Sequence, residues 1–168
     1  MKKPNSEQPA DYRVIAYSGY GVVRNYAGKF AGENLPFLYP RAIPGEPAAA
    51  APEKGWRPKL IVVNLGTNDF STPVHPGEAW ADASALRADY RQRYIDFVKT
   101  LRSRQPQARL VLMGAENFYG DVAAVAAATG TTAVKVPALE MTGCNWHPSL
   151  QDHRTMADLL FRAVAKSR

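Results

Sequence analysis

Three short polar segments contain residues whose types suit chemistry at a carbonyl carbon. They are Ser18-Gly19-Tyr20-Gly21, Gly66-Thr67-Asn68-Asp69 and Gly143-Cys144-Asn145-Trp146-His147-Pro148. Singly each is a weak signal, because glycine after a strand usually marks a turn and a lone histidine is more often structural than catalytic. Together they offer an exposed backbone N–H at Gly19, a side-chain amide at Asn68 and an imidazole at His147. Ester hydrolysis by a serine needs two hydrogen-bond donors to hold the developing oxyanion and one base to accept the serine proton.

Alternating strand and helix patterns position these segments along the chain. Short β-prone runs predict strands at 12–17, 60–63, 109–113 and 132–136, and the strongest is Leu60-Ile61-Val62-Val63. A continuous apolar run of this kind is typical of a strand buried on both faces. Apolar residues at three- and four-residue steps predict a helix over about 79–104: Trp80, Ala83, Leu86, Tyr90, Tyr94, Phe97 and Leu101.

Two further helices complete the pattern. An alanine-rich helix is predicted over 119–128 with Gly130 as its stop, and Ser149 is predicted to cap a C-terminal helix. Asp152, three residues after Ser149, makes this start similar to a capping box. Strands that alternate with helices predict an α/β fold with a parallel sheet covered on both sides. Ligands bind such sheets at the carboxyl ends of the strands, which is where the three polar segments fall.

The three segments together resemble the marker blocks of the SGNH (GDSL-like) hydrolase superfamily. Gly19 matches the second-block glycine, Asn68 the third-block asparagine and His147 the catalytic histidine. The sequences of the three blocks are SGYG, VNLGTNDFS and GCNWHPSLQDH. They are similar to the corresponding blocks of carbohydrate esterase family two, which includes acetylxylan esterases. The resemblance runs from about residue 12 to the C-terminus.

This resemblance implies a flavodoxin-like three-layer α/β/α sandwich and a deacetylation that needs no metal or cofactor. A serine would attack the acetyl carbonyl of an acetylated carbohydrate or small ester, and His147 would take its proton. Gly19 N–H and the Asn68 side chain would hold the oxyanion until water releases acetate from the acyl-enzyme. The family also implies a secreted or periplasmic protein, although no signal peptide is evident in the chain.

Two features depart from the superfamily pattern. Many members carry aspartate three residues before the histidine, where this chain has Cys144, so a Ser–His dyad oriented by a backbone carbonyl or by Asn145 is favoured over a triad. The first block, a strand ending in Gly-Asp-Ser, is not found ahead of Ser18. The nucleophile is therefore unidentified, and Ser18, which follows a β-prone run and adjoins Gly19, is a weak candidate.

The first block of the superfamily includes a strand, which in a flavodoxin-like sheet lies at the centre, between the second and third strands. Loss of that strand would leave buried-type edges unpaired. We therefore expect either an N-terminally incomplete domain or a strand supplied by a complementing chain or a dimer. In this interpretation residues 1–10 form a disordered or linking start and residues 11–168 form the SGNH-type domain.

The other residues near the motifs have mostly structural interpretations. Trp146, Tyr20 and Asp69 are possible substrate contacts. For Asp69, bracing of the Asn68 loop through hydrogen bonds is favoured over direct chemistry, and for Trp146 a core or lid role is equally open. His75 and His153 lack metal-ligand spacing, and no metal site is predicted.

Composition limits the other function classes. The formal net charge is +6, but many of the basic residues lie among aspartates on one predicted helix, so nucleic-acid binding is not expected. No apolar run is long enough to cross a membrane, and the single cysteine excludes an internal disulfide. Two alternatives stay open: a general GDSL-like esterase or lipase with another acyl substrate, and a non-catalytic carbohydrate-binding remnant.

Overall fold

The sheet is parallel and has three strands in the order β1-β2-β3. The computed structural model describes residues 10–46, 48–50 and 55–165. Its strands are β1 (Leu60–Asn64), β2 (Arg109–Ala115) and β3 (Thr132–Val136). Ile61 lies beside Leu110, and Met113 lies beside Val134. The last three predicted strands are therefore confirmed.

Helices cover both faces of this sheet. The helices are α1 (Leu35–Leu38), α2 (Ala83–Arg104), α3 (Tyr119–Thr129) and α4 (Leu150–Ala165). Side chains alternate along each strand, so Leu110 and Leu112 pack with α2 and α3, whereas Val111 and Met113 pack with α4. The predicted α/β fold with a sheet covered on both sides is confirmed, as three α/β/α layers.

Local capping signals set the helix ends. Asp82 accepts the backbone N–H of Ala85, so α2 begins at Ala83, four residues later than the apolar periodicity predicts. Gly130 ends α3 in the left-handed conformation at φ 62°. At α4, Ser149 Oγ accepts the Asp152 N–H while the Asp152 carboxylate accepts the Ser149 N–H. The capping box with aspartate in place of glutamate is confirmed.

The strand predicted at 12–17 is wrong. These residues carry no regular secondary structure, and Tyr12 and Val14 are 81% and 76% exposed. A β-prone run forms a strand only when a neighbouring strand supplies its hydrogen bonds. No strand pairs with the outer edge of β1 among the described residues, and Val62 on that strand is 38% exposed.

The predicted start at residues 1–10 lies, except for Ala10, outside the described residues. Within the described ranges, no helix is both long and apolar enough to cross a membrane.

Candidate functional site

The Asn68 segment follows β1 directly and rests on an aromatic floor. Tyr90 of α2 donates its hydroxyl to the Leu65 carbonyl at 2.8 Å, which fixes the start of the segment. Gly66 adopts φ 136°, and a Cβ at this position would lie 2.4 Å from the Phe118 ring. Only glycine lets the backbone lie this close to Phe118, so the core dictates where Asn68 emerges.

The structure brings Asn68 to the Gly19 segment. Asn68 Nδ2 donates to the Tyr20 carbonyl oxygen at 3.0 Å. A side-chain amide has two N–H groups, so a second donor is left over. Gly19 adopts φ 85°, and within the described ranges its N–H has no hydrogen-bond acceptor. Two donors with free hydrogen-bonding capacity therefore lie on adjoining segments, one from each predicted block.

Asp69 locks these two segments together. Its side chain is fully buried, and its carboxylate accepts the backbone N–H groups of Val22, Val23 and Arg24 at 2.8–3.0 Å. Burial raises the pKa of Asp69, and the three amides oppose that shift by favouring the charged form. Every oxygen of the carboxylate faces the 22–24 backbone, so Asp69 acts as the brace that the sequence suggests.

A buried arginine extends this brace. Arg24 is 2% exposed and forms a two-pronged ion pair with Glu78, with distances of 2.6 Å from Nε and 2.8 Å from Nη2. Its remaining donors reach the carbonyls of Asp69, Thr72 and Pro73. The Arg24 guanidinium lowers the pKa of Glu78 to about 2. Sequence reasoning did not find this pair, because 54 residues separate its partners and no motif links them.

His147 ends a tight turn after β3. Its Nδ1 lies 2.8 Å from the Cys144 carbonyl oxygen. Because a carbonyl only accepts, the neutral imidazole that donates to it carries its proton on Nδ1 and has its lone pair on Nε2. A backbone carbonyl thus takes the orienting position, which is one of the two options that the Cys144 substitution left open. The Cys144 thiol itself is exposed.

The same turn holds Trp146 out into solvent. Asn145 and Trp146 both adopt left-handed backbone conformations, at φ 52° and 55°. Gly143 closes the turn by donating its N–H to the His147 carbonyl at 2.9 Å, and a Cβ on Gly143 would lie 2.7 Å from that oxygen. Trp146 is 84% exposed, so a core role is wrong. Two consecutive residues in a strained backbone conformation, one of them an exposed tryptophan, are typical of a functional site.

Tyr20 belongs to a ring cluster beside Asn68. Its ring lies 4.5 Å from that of Tyr17 and stacks with Phe30 at a centroid distance of 6.3 Å and an interplanar angle of 8°. Phe30 is 66% exposed. The backbone of Tyr20 therefore holds Asn68 while its side chain leads to an exposed aromatic surface.

The structure does not join the two halves of the candidate site. In the described part of the chain, no hydrogen bond or ring contact links His147 or Trp146 to Gly19, Tyr20 or Asn68. Ser18 is exposed in the turn before Gly19, and no contact to His147 is present there. Across the described ranges, no group of three or more His, Cys, Asp or Glu side chains is arranged to hold a metal ion.

Known proteins resemble this chain in both sequence and structure. An acetylxylan esterase / glucomannan deacetylase of Cellvibrio japonicus is 38% identical over 169 residues, which cover 95% of this chain and 47% of that protein. A solved carbohydrate esterase, whose active site is said to display divergent catalytic and non-catalytic binding functions, superposes with a TM-score of 0.86 at 36% identity. That match covers 95% of this chain and 54% of the other. A family two carbohydrate esterase from Cellvibrio japonicus gives a TM-score of 0.74 at 26% identity, over 90% and 46% of the two chains. No family model matches.

The fold and these relatives define an SGNH-type (GDSL-like) hydrolase. Within that class the chain is homologous to the carbohydrate esterases of family two, and its named relatives are carboxylic ester hydrolases. The chain spans about half the length of the relatives it matches.

Proposed function

We propose that this chain carries the oxyanion donors and the base of a serine-type carbohydrate O-acetyl esterase that acts on acetylated xylan or a related glycan. The observation that carries the proposal is the hydrogen bond from Asn68 to the Tyr20 carbonyl, which fixes the Asn68 amide beside Gly19. The name of the Cellvibrio japonicus relative, acetylxylan esterase / glucomannan deacetylase, supports the substrate class.

In the proposed reaction His147 moves one proton in each half. A serine hydroxyl attacks the acetyl carbonyl carbon, and its proton passes to His147 Nε2. When the tetrahedral intermediate collapses, the bond to the sugar oxygen breaks and His147 returns the proton to that oxygen. Water then attacks the acetyl-enzyme with His147 again as base, which releases acetate and the free serine. The serine is unassigned, and Ser18 is the candidate among the described residues.

The oxyanion would receive two hydrogen bonds. One comes from the Gly19 N–H and the other from the Asn68 amide hydrogen that the Tyr20 carbonyl does not use. Because Asn68 is already fixed in the free protein, it needs no rearrangement as charge develops on the acetyl oxygen. Removal of one such donor typically lowers the rate about 10²–10³-fold.

The base keeps its orientation through the backbone. With Nδ1 donating to the Cys144 carbonyl, Nε2 is available to a nucleophile without help from a carboxylate. Any residue at position 144 supplies this carbonyl, so a Cys144→Ala variant should keep its activity. A large loss in that variant would show that the thiol itself takes part.

Acetate release and serine labelling test the assignment together. The chain is incubated with acetylated xylan, p-nitrophenyl acetate and a fluorophosphonate probe, beside His147→Ala, Asn68→Ala and the matched control His153→Ala, whose side chain is exposed on α4. We expect His147→Ala to abolish turnover, Asn68→Ala to lower it about 10²–10³-fold and His153→Ala to change nothing. Peptide mapping of the labelled serine, with Ser18→Ala as a check, identifies the nucleophile. Turnover that survives in His147→Ala would refute the base assignment.

The acyl preference separates this proposal from a general esterase or lipase. Acetate esters should be hydrolysed much faster than butyrate or octanoate esters. Preference for the longer chains would favour the lipase alternative.

A non-catalytic glycan-binding role is the second candidate. The exposed Trp146 ring beside His147 favours it, as does the solved relative with non-catalytic binding functions. Binding of xylan without acetate release or serine labelling would support this role over the esterase. Because either role acts on a polysaccharide, we also propose that the protein is secreted or periplasmic.

We also propose that the open edge of β1 is completed by a further strand, from another segment or a second chain. An unpaired edge on a strand with apolar side chains is prone to aggregate, and Val62 is half-exposed there. Amide hydrogen exchange over residues 60–64 tests the proposal, because completion of the edge should slow it. Equal exchange in the isolated chain and in every larger assembly would refute it.

A further inference from the structure

A cavity lies on the α2 side of the molecule, and His147 is not among its lining residues. It is a groove of about 800 Å³ between the 22–37 loop, the 77–80 loop and one face of α2, and we call it the α2 groove. This volume falls in the range of about 300–1,000 Å³ that is usual for small-molecule sites. Gly19, Asn68, Trp146 and His147 do not line it.

The lining of the α2 groove combines exposed rings with balanced charges. Phe30 and Phe37 supply exposed rings, and Trp80 supplies a half-buried one. Three cationic side chains, Arg24, Lys29 and Arg93, are matched by three carboxylates, Glu78, Asp89 and Asp96. The groove is therefore neutral although the chain as a whole carries a formal charge of +6. A neutral lining gives no attraction for a polyanion.

The polar groups of the groove are held in place by one another. Trp80 Nε1 donates to Asp89 Oδ2 at 3.0 Å, and Arg93 Nε lies 3.5 Å from Asp89 Oδ1. Glu78 is fixed by Arg24. Asp89 is partly exposed, which leaves carboxylate lone pairs for a ligand hydroxyl. Fixed rings flanked by carboxylates and guanidinium groups suit the apolar face and the hydroxyl rim of a neutral sugar.

A strained backbone holds Phe30 at the mouth of this groove. Phe30 adopts φ 52°, a conformation that is costly for an aromatic residue, and its ring is 66% exposed. The buried side chain of Asn25 enforces it by donating to the Phe30 carbonyl at 3.1 Å and the Glu33 carbonyl at 2.7 Å. Asn25 also accepts the Gly21 N–H at 3.1 Å. The buried Asn25 side chain thus keeps the Phe30 backbone in a strained conformation, and that conformation leaves the Phe30 ring exposed. Backbone strain of this kind is typical of binding sites.

Phe30 also connects the groove to the candidate site. Its ring stacks on Tyr20, whose carbonyl holds Asn68. Tyr20 and Phe30 thus lead from the Asn68 segment to the groove, which Phe30 lines together with Phe37 and Trp80.

We propose that the α2 groove binds the neutral, unacetylated main chain of a glycan, as a site separate from the proposed catalytic residues. The groove would hold one part of the polysaccharide while acetylated sugar units elsewhere on the same polysaccharide reach Asn68 and His147. The inference goes beyond the proposed esterase, because this groove binds the sugar chain whether or not an acetyl group is removed.

Calorimetric titration with unacetylated xylohexaose tests the groove without any need for chemistry. The variants are Phe30→Gly, Trp80→Ala and Trp80→Phe, with Phe161→Ala as a matched control because Phe161 is exposed on α4. Glycine relieves the left-handed strain at residue 30, so Phe30→Gly should fold normally while it loses the ring. We expect Phe30→Gly and Trp80→Ala to weaken binding roughly five- to tenfold, as loss of one aromatic contact does. Trp80→Phe should retain most of the affinity, and Phe161→Ala should retain all of it.

Three results would overturn the proposal. These are absence of xylohexaose binding by the unaltered chain, unchanged affinity in both Phe30→Gly and Trp80→Ala, and tighter binding of hexagalacturonate, an acidic oligosaccharide, than of xylohexaose. The variants Trp146→Ala and Asn68→Ala distinguish failure of the groove proposal from failure of the esterase proposal. Both should retain xylohexaose binding, and Asn68→Ala should lose acetate release. If binding disappears in Trp146→Ala but not in the groove variants, the sugar binds only at the candidate active site.

Discussion

Substitution of Asp69 by alanine should both destabilise the chain and misplace Asn68. The carboxylate is fully buried and accepts three backbone amides, from Val22, Val23 and Arg24. An unsatisfied buried donor costs about 1–3 kcal/mol. Three such donors, with some relaxation and water entry, give an expected loss of about 3–5 kcal/mol in the free energy of unfolding.

Asparagine at the same position separates shape from charge. Its Oδ1 can keep the amides that Asp69 Oδ1 accepts, but its NH₂ group then faces the Val22 N–H, which lies 2.9 Å from Asp69 Oδ2. Two donors would meet, and the charge that strengthens the other bonds would be lost, although a buried charge would also be removed. We expect about 1–3 kcal/mol for Asp69→Asn, less than for alanine.

Urea unfolding and p-nitrophenyl acetate hydrolysis measure the two effects. Asp158→Ala is the control, since Asp158 is exposed on α4 and its replacement should change stability by less than about 0.5 kcal/mol. In folded Asp69→Asn, kcat should fall, because the carboxylate that fixes the Asn68 segment against residues 22–24 is lost. A loss below about 1 kcal/mol in Asp69→Ala would refute the bracing role, because it would mean that the three amides find equal partners without the carboxylate.

Two further predictions concern the loops that frame Asn68. The hydrogen bond and charge of the Arg24 guanidinium lower the pKa of Glu78 from 4.5 to about 2, so the ion pair stabilises the fold above about pH 4.5 and is lost as the pH falls towards 2. The difference in unfolding free energy between the unaltered chain and Glu78→Gln should therefore shrink over that interval; a difference that does not vary with pH would contradict the ion pair. Gly66→Ala should cost about 3 kcal/mol or more in urea unfolding, because its Cβ would lie 2.4 Å from Phe118. Gly120→Ala, within α3 and with open space around it, should be neutral or slightly stabilising, and equal effects at the two glycines would contradict the close approach.

Local sequence signals predict most of the regular structure. Apolar runs identify the three paired strands, and the three- to four-residue periodicity identifies α2 to within four residues at its start. Ser149 with Asp152, and Gly130, mark helix ends through bonds and backbone conformations that involve only neighbouring residues. Each of these features depends on interactions between residues that are close in the sequence, so each can be predicted from the sequence alone.

The sequence also brings together part of the candidate site. Gly19 and Asn68 fall after β-prone runs, and their adjacency was predicted from motif resemblance. The brace at Asp69 was expected, but its partners at 22–24 were not, since a nest of backbone amides has no sequence pattern. The failure at 12–17 has the same origin, because a strand depends on a partner that its own residues do not specify.

The sequence by itself thus determined the strand and helix order, the caps and the identities of Gly19, Asn68 and His147 as candidates for acyl transfer. Only the tertiary structure decided that the Cys144 carbonyl, not a side chain, holds His147, and that Arg24 and Glu78 pair across 54 residues. It alone exposed Trp146 and opened the neutral α2 groove behind Phe30. The Arg24–Glu78 pair and the groove depend on how segments distant in sequence pack together, which no local pattern specifies. The His147 contact and the exposure of Trp146 depend on the left-handed turn at Asn145 and Trp146, a backbone conformation that the sequence did not predict.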